Sequence, residues 1–453
     1  MTMAAVAVLH GQIERHRDRY GETLRRFCRI PSVSGQAVPE AVAFLTALLR
    51  DLGAEIALRE AGGSPPLIIA TIPGGSTKTL LLYNHYDVVP AEPLDAWTHP
   101  PFGAEIVDGR LVARGASDNK GELTARLCAV DAWRAAYGTL PLTVKFVIDG
   151  EEELGSPHLR DLVLANRGLL RADVALGEGG GRDDLGRPTI SLGCRGRILF
   201  EMERLGARQT FHSSLTSVVP NPAWDIVWAF ASMKGADERV TIAGFHDDAV
   251  RPTEAELRLL DDLRFDDEGL KRRLGLSKLT LDVRGRDAIR RLLFEPTLEV
   301  SGLGAGRTYD GSRGLPRRAV GVLRFGLVPN QNPGKMEALL RRHLDTHGFQ
   351  GITLRPLSER YPGRVPLAHP MVDAIVRTGR NFYRTAPAIY PVAPWIGAPY
   401  HELADPLGIP LINAGMGSAE SQFHAPDEGI RVDDYCAGVE FTARLFGELA
   451  TAI

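Results

Sequence analysis

The sequence predicts an α/β protein in which a mostly parallel, helix-covered sheet is interrupted by an inserted α+β domain. Three observations carry that prediction. At 453 residues the chain is too long for one ordinary hydrophobic core. Up to about Ser191, short apolar runs alternate with amphipathic stretches of helix length, the pattern of a sheet covered on both faces. Beyond Ser191 the strand-like segments alternate apolar with polar residues, as half-exposed strands do.

The elements follow in order. MTMAAVAVLHGQIERHRDRYGETLRRF places acidic and basic residues at helical spacing, and IPSVSG after it reads as a turn. VPEAVAFLTALLRDLG predicts a second helix. Leu67 to Ile72 (LIIATI), closed by Pro73-Gly74-Gly75, and Thr79 to His85 (TLLLYNH) read as buried strands. Leu123 to Tyr137 predicts a helix and Leu142 to Ile148 another buried strand. RILFEMERLG and Arg318 to Val328 then predict half-exposed strands, with AWDIVWAFASM and EALLRRHLDTHGF as helices. The first sheet resumes near Tyr361 with PLINAG and the terminal helix Val432 to Leu449. The expected boundaries are 1–194 and 358–453 for the main domain and 195–357 for the insertion.

Composition excludes several classes of function. The chain is 44% hydrophobic, 24% charged and 7% aromatic, as a soluble globular protein is. A formal net charge of -3 and short, broken basic stretches such as Arg313 to Arg318 give no footprint for nucleic acid. The four cysteines, Cys28, Cys128, Cys194 and Cys436, have no paired spacing, so thiols in a reducing cytosol are expected. The first apolar run is too short for a signal-peptide core, and no stretch reaches the roughly 20 apolar residues that span a bilayer. A cytoplasmic protein with no membrane partner is expected.

Residues able to hold metal gather at predicted strand exits. The strand Leu80 to Tyr83 runs into His85 and Asp87, and Leu142 to Ile148 runs into Asp149, Glu151, Glu152 and Glu153. That carboxyl edge is where open α/β sheets bind ligands. Glu178 follows the apolar run VAL, Asp118 lies in RGASDNKG ahead of a helix, and His424 lies in SQFHAPDEG before the last one. Consecutive glutamates repel one another unless cations neutralise them. A strand-end His and Asp two residues apart point the same way, so one binds metal while the other fixes its tautomer. An aspartate in the tight turn at Asp118 is able to bridge two cations. Taken singly, each feature competes with a solvated acidic loop or an ordinary packing histidine; taken together they favour a metal site. Carboxylates mixed with imidazole suit zinc, or manganese and cobalt, better than calcium.

HYDVVP, WTHPPFGAEIVDGRLVARGASDNKG, DGEEELGSPHL and FHAPDE, in this order, resemble the two-zinc aminoacylase, carboxypeptidase and dipeptidase family. The resemblance covers nearly the whole chain, and its first three motifs are nearest the dipeptidase branch. It implies two divalent cations per chain, one held by His85, Asp118 and Glu178, the other by His424, Glu152 and the shared Asp118. It implies Asp87 as the clamp on His85, Glu151 as general base and acid, and a cis peptide at Asp118–Asn119. The main domain becomes the catalytic domain, and the insertion the lid and dimerisation domain. LGARQTFHSS makes His212 the expected oxyanion donor to the partner subunit's site, within a homodimer.

Departures from the family bear on the substrate. Gly326 stands where the dipeptidases carry a carboxylate-binding arginine, with Arg324 two residues earlier, and Arg313 replaces a threonine contact. APWIGAPYHE lacks the serine of the family's glycine-serine loop. Glu178 agrees with the carboxypeptidases and deacylases of the family, where its dipeptidases tend to carry aspartate. The expected activity is hydrolysis of a dipeptide or a C-terminal residue. Deacylation of an N-acyl amino acid or metabolite amide is the alternative, and a non-catalytic metal-binding scaffold a remote one. Arg313 and Arg324 are the expected substrate contacts.

Overall fold

Leu67–Ile72, Thr79–His85 and Thr143–Asp149 are buried over almost their whole lengths, which explains why each is a nearly continuous apolar run. They lie in one sheet in the order Glu55–Arg59, Leu67–Ile72, Thr143–Asp149, Thr79–His85, Val174–Gly177, Leu411–Asn413, Pro188–Ser191, Ala388–Tyr390. The four strands from Thr143–Asp149 to Leu411–Asn413 run parallel. The computed structural model describes residues 2–36, 38–183, 185–209, 211–309, 311, 314–394, 399–417 and 419–453. Arg313 and residues 395–398 of the APWIGAPYHE segment lie outside them.

The described residues form two compact units, one drawn from 1–192, 365–390 and 397–453, the other from 193–364 and 391–396. In the first, Met3–Cys28, Lys120–Tyr137 and Val432–Ala452 pack together and join the sheet in one apolar core. Lys120–Tyr137 is buried on nearly every side along its first three turns, so its polar residues must find partners inside the protein.

The second unit has an antiparallel sheet in the order Thr297–Ala305, Arg318–Leu327, Gly196–Leu205, Ile352–Arg360. Gly196–Leu205 alternates buried and half-buried residues, and the helices Pro222–Met233 and Pro333–Thr346 contribute to the core on the buried face. The expected boundary at 357 cuts through Ile352–Arg360. That strand pairs with Gly196–Leu205 along its length, so it stays with the second unit. The helices between residues 254 and 294 and the strand Thr297–Ala305 were not foreseen, because their apolar residues are few and broken by charge. Among the described residues no helix is long and apolar enough to cross a membrane.

Candidate metal centre

Three neighbouring parallel strands deliver their exits to one edge of the first sheet. His85 is the last residue of its strand and pairs in register with Asp149, from which the chain turns into Glu151, Glu152 and Glu153. On the other side Val174–Gly177 leads into Glu178. The turn after Asp149 requires Gly150, because a Cβ there would stand 2.2 Å from the Tyr86 hydroxyl. Asp118 comes from the loop below the Lys120–Tyr137 helix, and the Asp118–Asn119 peptide is cis. Gly121 lets the first turn of that helix rest on the loop, since a Cβ would lie 2.0 Å from the Ala116 carbonyl oxygen.

Two clusters result, and Asp118 belongs to both. His85, Asp118 and Glu178 form one; Asp118, Glu153 and His424 form the other, with ligand atoms in each within 4.8 Å of one another. His85 Nε2 lies 3.1 Å from Asp118 Oδ1 and 3.1 Å from Glu178 Oε2. His424 Nε2 lies 3.1 Å from Asp118 Oδ2 and 3.1 Å from Glu153 Oε2. His424 sits at φ 60, a left-handed conformation unusual for a residue other than glycine.

The carboxylate beside His424 is therefore Glu153, where the sequence pointed to Glu152. Glu151, expected as the base, is turned away from the cluster. Its Oε1 accepts hydrogen bonds from the His158 amide at 2.9 Å and from His158 Nδ1 at 2.8 Å. The physical reason is the turn itself: Glu152–Leu154 forms one turn of tight helix closed by Gly155 at φ 93, which rotates each glutamate to a different side. Asp87 anchors this turn, accepting from the amides of Glu152 and Glu153 at 3.1 Å each and from Ser34 Oγ at 2.8 Å. His85 Nδ1 donates to the Asp87 carbonyl at 2.9 Å and lies 3.3 Å from its carboxylate, leaving Nε2 for a ligand.

The electrostatics identify what the cluster accepts. Burial alone would push the His85 pKa down, but Glu178 and the hydrogen bonds to Asp118 and Asp87 raise it well above its ordinary value. Hydrogen bonds to Asp118 and Glu153 raise His424 to about 10. Burial pushes Glu178 up to about 7, and burial with the charge of Glu178 raises Glu152 well above the carboxylate range. Glu178 Oε2 and Glu153 Oε1 are buried without a hydrogen-bond partner. Crowded carboxylates with unsatisfied oxygens and two imidazole nitrogens fit divalent cations, which would take over the neutralising role of the protons.

Several supporting residues escaped the sequence reading. Buried Arg126 donates to the Tyr83 carbonyl at 2.8 Å, to Asn84 Oδ1 at 2.9 Å and to the Gly177 carbonyl at 2.6 Å, tying together the strands that end in His85 and Glu178. Asn413 Nδ2 donates to the Glu178 carbonyl at 2.6 Å. No local signal marks an arginine inside an amphipathic stretch as buried.

His212 and Arg324 belong to the second unit. His212 is exposed, and its Nδ1 accepts from the Ser214 amide at 3.3 Å, which leaves the ring proton on Nε2. Arg324 is exposed on its strand, opposite Leu199 and Glu299. The space over Gly326 is filled: a Cβ there would meet Thr297 Oγ1 at 2.5 Å and Arg195 Nη2 at 3.0 Å. Arg195 in turn donates to the carbonyls of Leu292 at 2.6 Å and Glu295 at 2.8 Å. Gly326→Arg is therefore expected to destabilise the protein by about 1–3 kcal/mol through overpacking, read as a fall in the denaturant midpoint.

A parallel sheet whose carboxyl edge presents two histidine–carboxylate clusters sharing one aspartate defines the chain as a metal-dependent hydrolase. Residues 81–448 match Peptidase family M20/M25/M40, and the chain belongs to it. Its structure is similar to that of the M20 family metallo-carboxypeptidase Sso-CP2 from Sulfolobus solfataricus, with TM-score 0.86 and 36% identity, covering 95% of this chain and 98% of that one. It is also similar to human carnosine dipeptidase 1, with TM-score 0.74 and 26% identity, covering 98% of each chain. In sequence it is 28% identical to the Beta-Ala-His dipeptidase of Homo sapiens over 97% of this chain and 91% of the relative. The protein is a metallopeptidase, hydrolysing peptide bonds.

Proposed function

We propose that the chain is a dinuclear, zinc-dependent dipeptidase or carboxypeptidase that removes one residue at a time from short peptides. The observation that carries this reading is Asp118 lying 3.1 Å from both His85 Nε2 and His424 Nε2 through its two separate oxygens. His85, Asp118 and Glu178 would hold one cation, and Asp118, Glu153 and His424 the other. The cations, when bound, polarise the scissile carbonyl and make water acidic enough to deprotonate near neutral pH. Glu152 takes that proton and returns it to the departing amine. Its place in the turn supports the assignment, because Glu151 is held by His158 and Glu153 stands beside His424, which leaves Glu152 as the carboxylate of the three for proton transfer. Glu151 is assigned to structure, holding His158. His212, with its proton on Nε2, is assigned to donate to the oxyanion in the partner subunit's site.

The names of the similar proteins support peptides as substrates, and Glu178 supports the carboxypeptidase side of that range. Zinc-loaded protein assayed on dipeptides, longer peptides and N-acyl amino acids tests the reading. Release of the C-terminal residue from peptides supports it; cleavage of N-acyl amino acids alone replaces it with the deacylase. Arg313 and Arg324 are proposed to meet the substrate carboxylate, and Arg313→Ala is expected to lower kcat/KM by roughly tenfold, the worth of one charge-assisted bond. Chelation should lower the melting temperature, because buried carboxylates are left facing one another.

The insertion is proposed to be a lid and the site of homodimerisation in the cytoplasm. Trp224 and Trp228 stack at 5.4 Å on the Pro222–Met233 helix, more than half exposed, with Val227 between them. Such a patch marks a protein contact in a soluble chain. Trp228→Glu is expected to shift the protein from dimer to monomer in sedimentation velocity.

A further inference from the structure

Glu428 is wholly buried four residues after His424, yet it stands in neither cluster. Its carboxylate is fully engaged. Oε1 accepts from the amides of Ser117 at 3.0 Å and Asp118 at 2.9 Å; Oε2 accepts from the Gly115 amide at 3.0 Å and from Arg114 Nη1 at 2.7 Å. Two further hydrogen bonds of Arg114 reach the chain around His424, Nη1 donating to the Ala425 carbonyl at 3.3 Å and Nη2 to the His424 carbonyl at 3.4 Å, and Nη2 also donates to the Pro90 carbonyl at 3.5 Å. The guanidinium also lies 5.0 Å over the Trp97 ring. Glu428 Oε1 thus holds the backbone of Asp118, and the guanidinium paired with Oε2 holds the backbone of His424.

From this we infer that the buried Arg114–Glu428 pair is a positioning device that sets the separation of Asp118 and His424 and so governs metal affinity. A buried ion pair has a desolvation cost that its attraction seldom exceeds, so stability alone is a poor reason for one here. Geometry supplies the reason. Asp118 and His424 are 306 positions apart in sequence, on loops joined by this buried pair, by Ser117 Oγ donating to the Gly429 carbonyl at 2.9 Å, by Arg110 donating to the Glu420 and Asp427 carbonyls at 2.8 Å each, and by the short ladder of Arg110–Val112 with Gly429–Arg431. The His424 loop runs through positive φ at Gln422, His424 and Asp427. Four N–H donors saturate Glu428, so it orients ligands without becoming one.

The inference rests on the dinuclear reading, and one titration separates their failures. Zinc is titrated calorimetrically into metal-stripped full-length protein, wild type and Glu428→Gln. The glutamine keeps the shape but cannot accept from all four donors. Expected is weakening of the more weakly held zinc by roughly 10–100-fold, the usual effect of losing a residue that orients a ligand. Excess zinc should restore kcat. Arg114→Lys, which keeps the charge but not the reach, is titrated in parallel and stands in if Glu428→Gln does not fold. Unchanged zinc affinities in a folded variant, with only a lower melting temperature, would overturn the inference. Wild-type protein binding fewer than two zinc ions would instead overturn the dinuclear reading.

Discussion

Glu152→Gln is expected to lower kcat by roughly 10²–10⁴-fold while both metals stay bound, the usual worth of general acid–base catalysis. Glutamine has nearly the same shape and its backbone still donates to Asp87, so the turn that aims Glu153 at the second cluster keeps its form. What disappears is the only carboxylate of the three glutamates that is neither turned to His158 nor paired with His424. Glu151→Gln should cost far less in kcat, because an amide oxygen still accepts from the His158 amide. Glu153→Gln should loosen metal first and lose rate only as a consequence. Steady-state kinetics with metal analysis of all three variants decides the matter. A Glu151→Gln enzyme as inactive as Glu152→Gln would return the base to Glu151.

Asp118→Ala is expected to have the largest effect on metal content, since one side chain serves both clusters. Removing His424 leaves the three ligands His85, Asp118 and Glu178 together, but removing Asp118 leaves each cluster with two. Metal analysis after dialysis should show less than one equivalent per chain. kcat/KM should fall by at least roughly 10³-fold, equivalent to the several kcal/mol of charge stabilisation that bound cations contribute. Retention of two equivalents would show that the clusters hold metal independently.

The same residues mark the limit of sequence reasoning. The order of strands and their carboxyl-edge residues is legible because a strand buried on both faces must be a continuous apolar run, and the polar residue ending it must lie at the sheet's edge. His85, Glu178 and the glutamate triplet are located that way. Asp118 and His424 are legible as the polar residues of small-residue loops beside helices, and the family resemblance orders them.

Which glutamate does what is not legible. Three identical residues in succession carry the same composition, and their directions are set by Gly155, Asp87 and His158, which the fold brings to the turn. The Arg114–Glu428 pair is likewise silent in sequence, since the two residues are far apart and charged residues are normally at the surface. Gly326 is a third case. Its sequence shows only a missing arginine, whereas the structure shows that Thr297 and Arg195 take up the space a side chain there would need. The sequence alone placed a metal site at the carboxyl edge of the sheet, because that follows from periodicity and residue type, and its motifs implied the reaction class through the family they resemble. Only tertiary structure decided which way each of the neighbouring carboxylates points and what it meets, because direction and partners across hundreds of residues are properties of the packed chain.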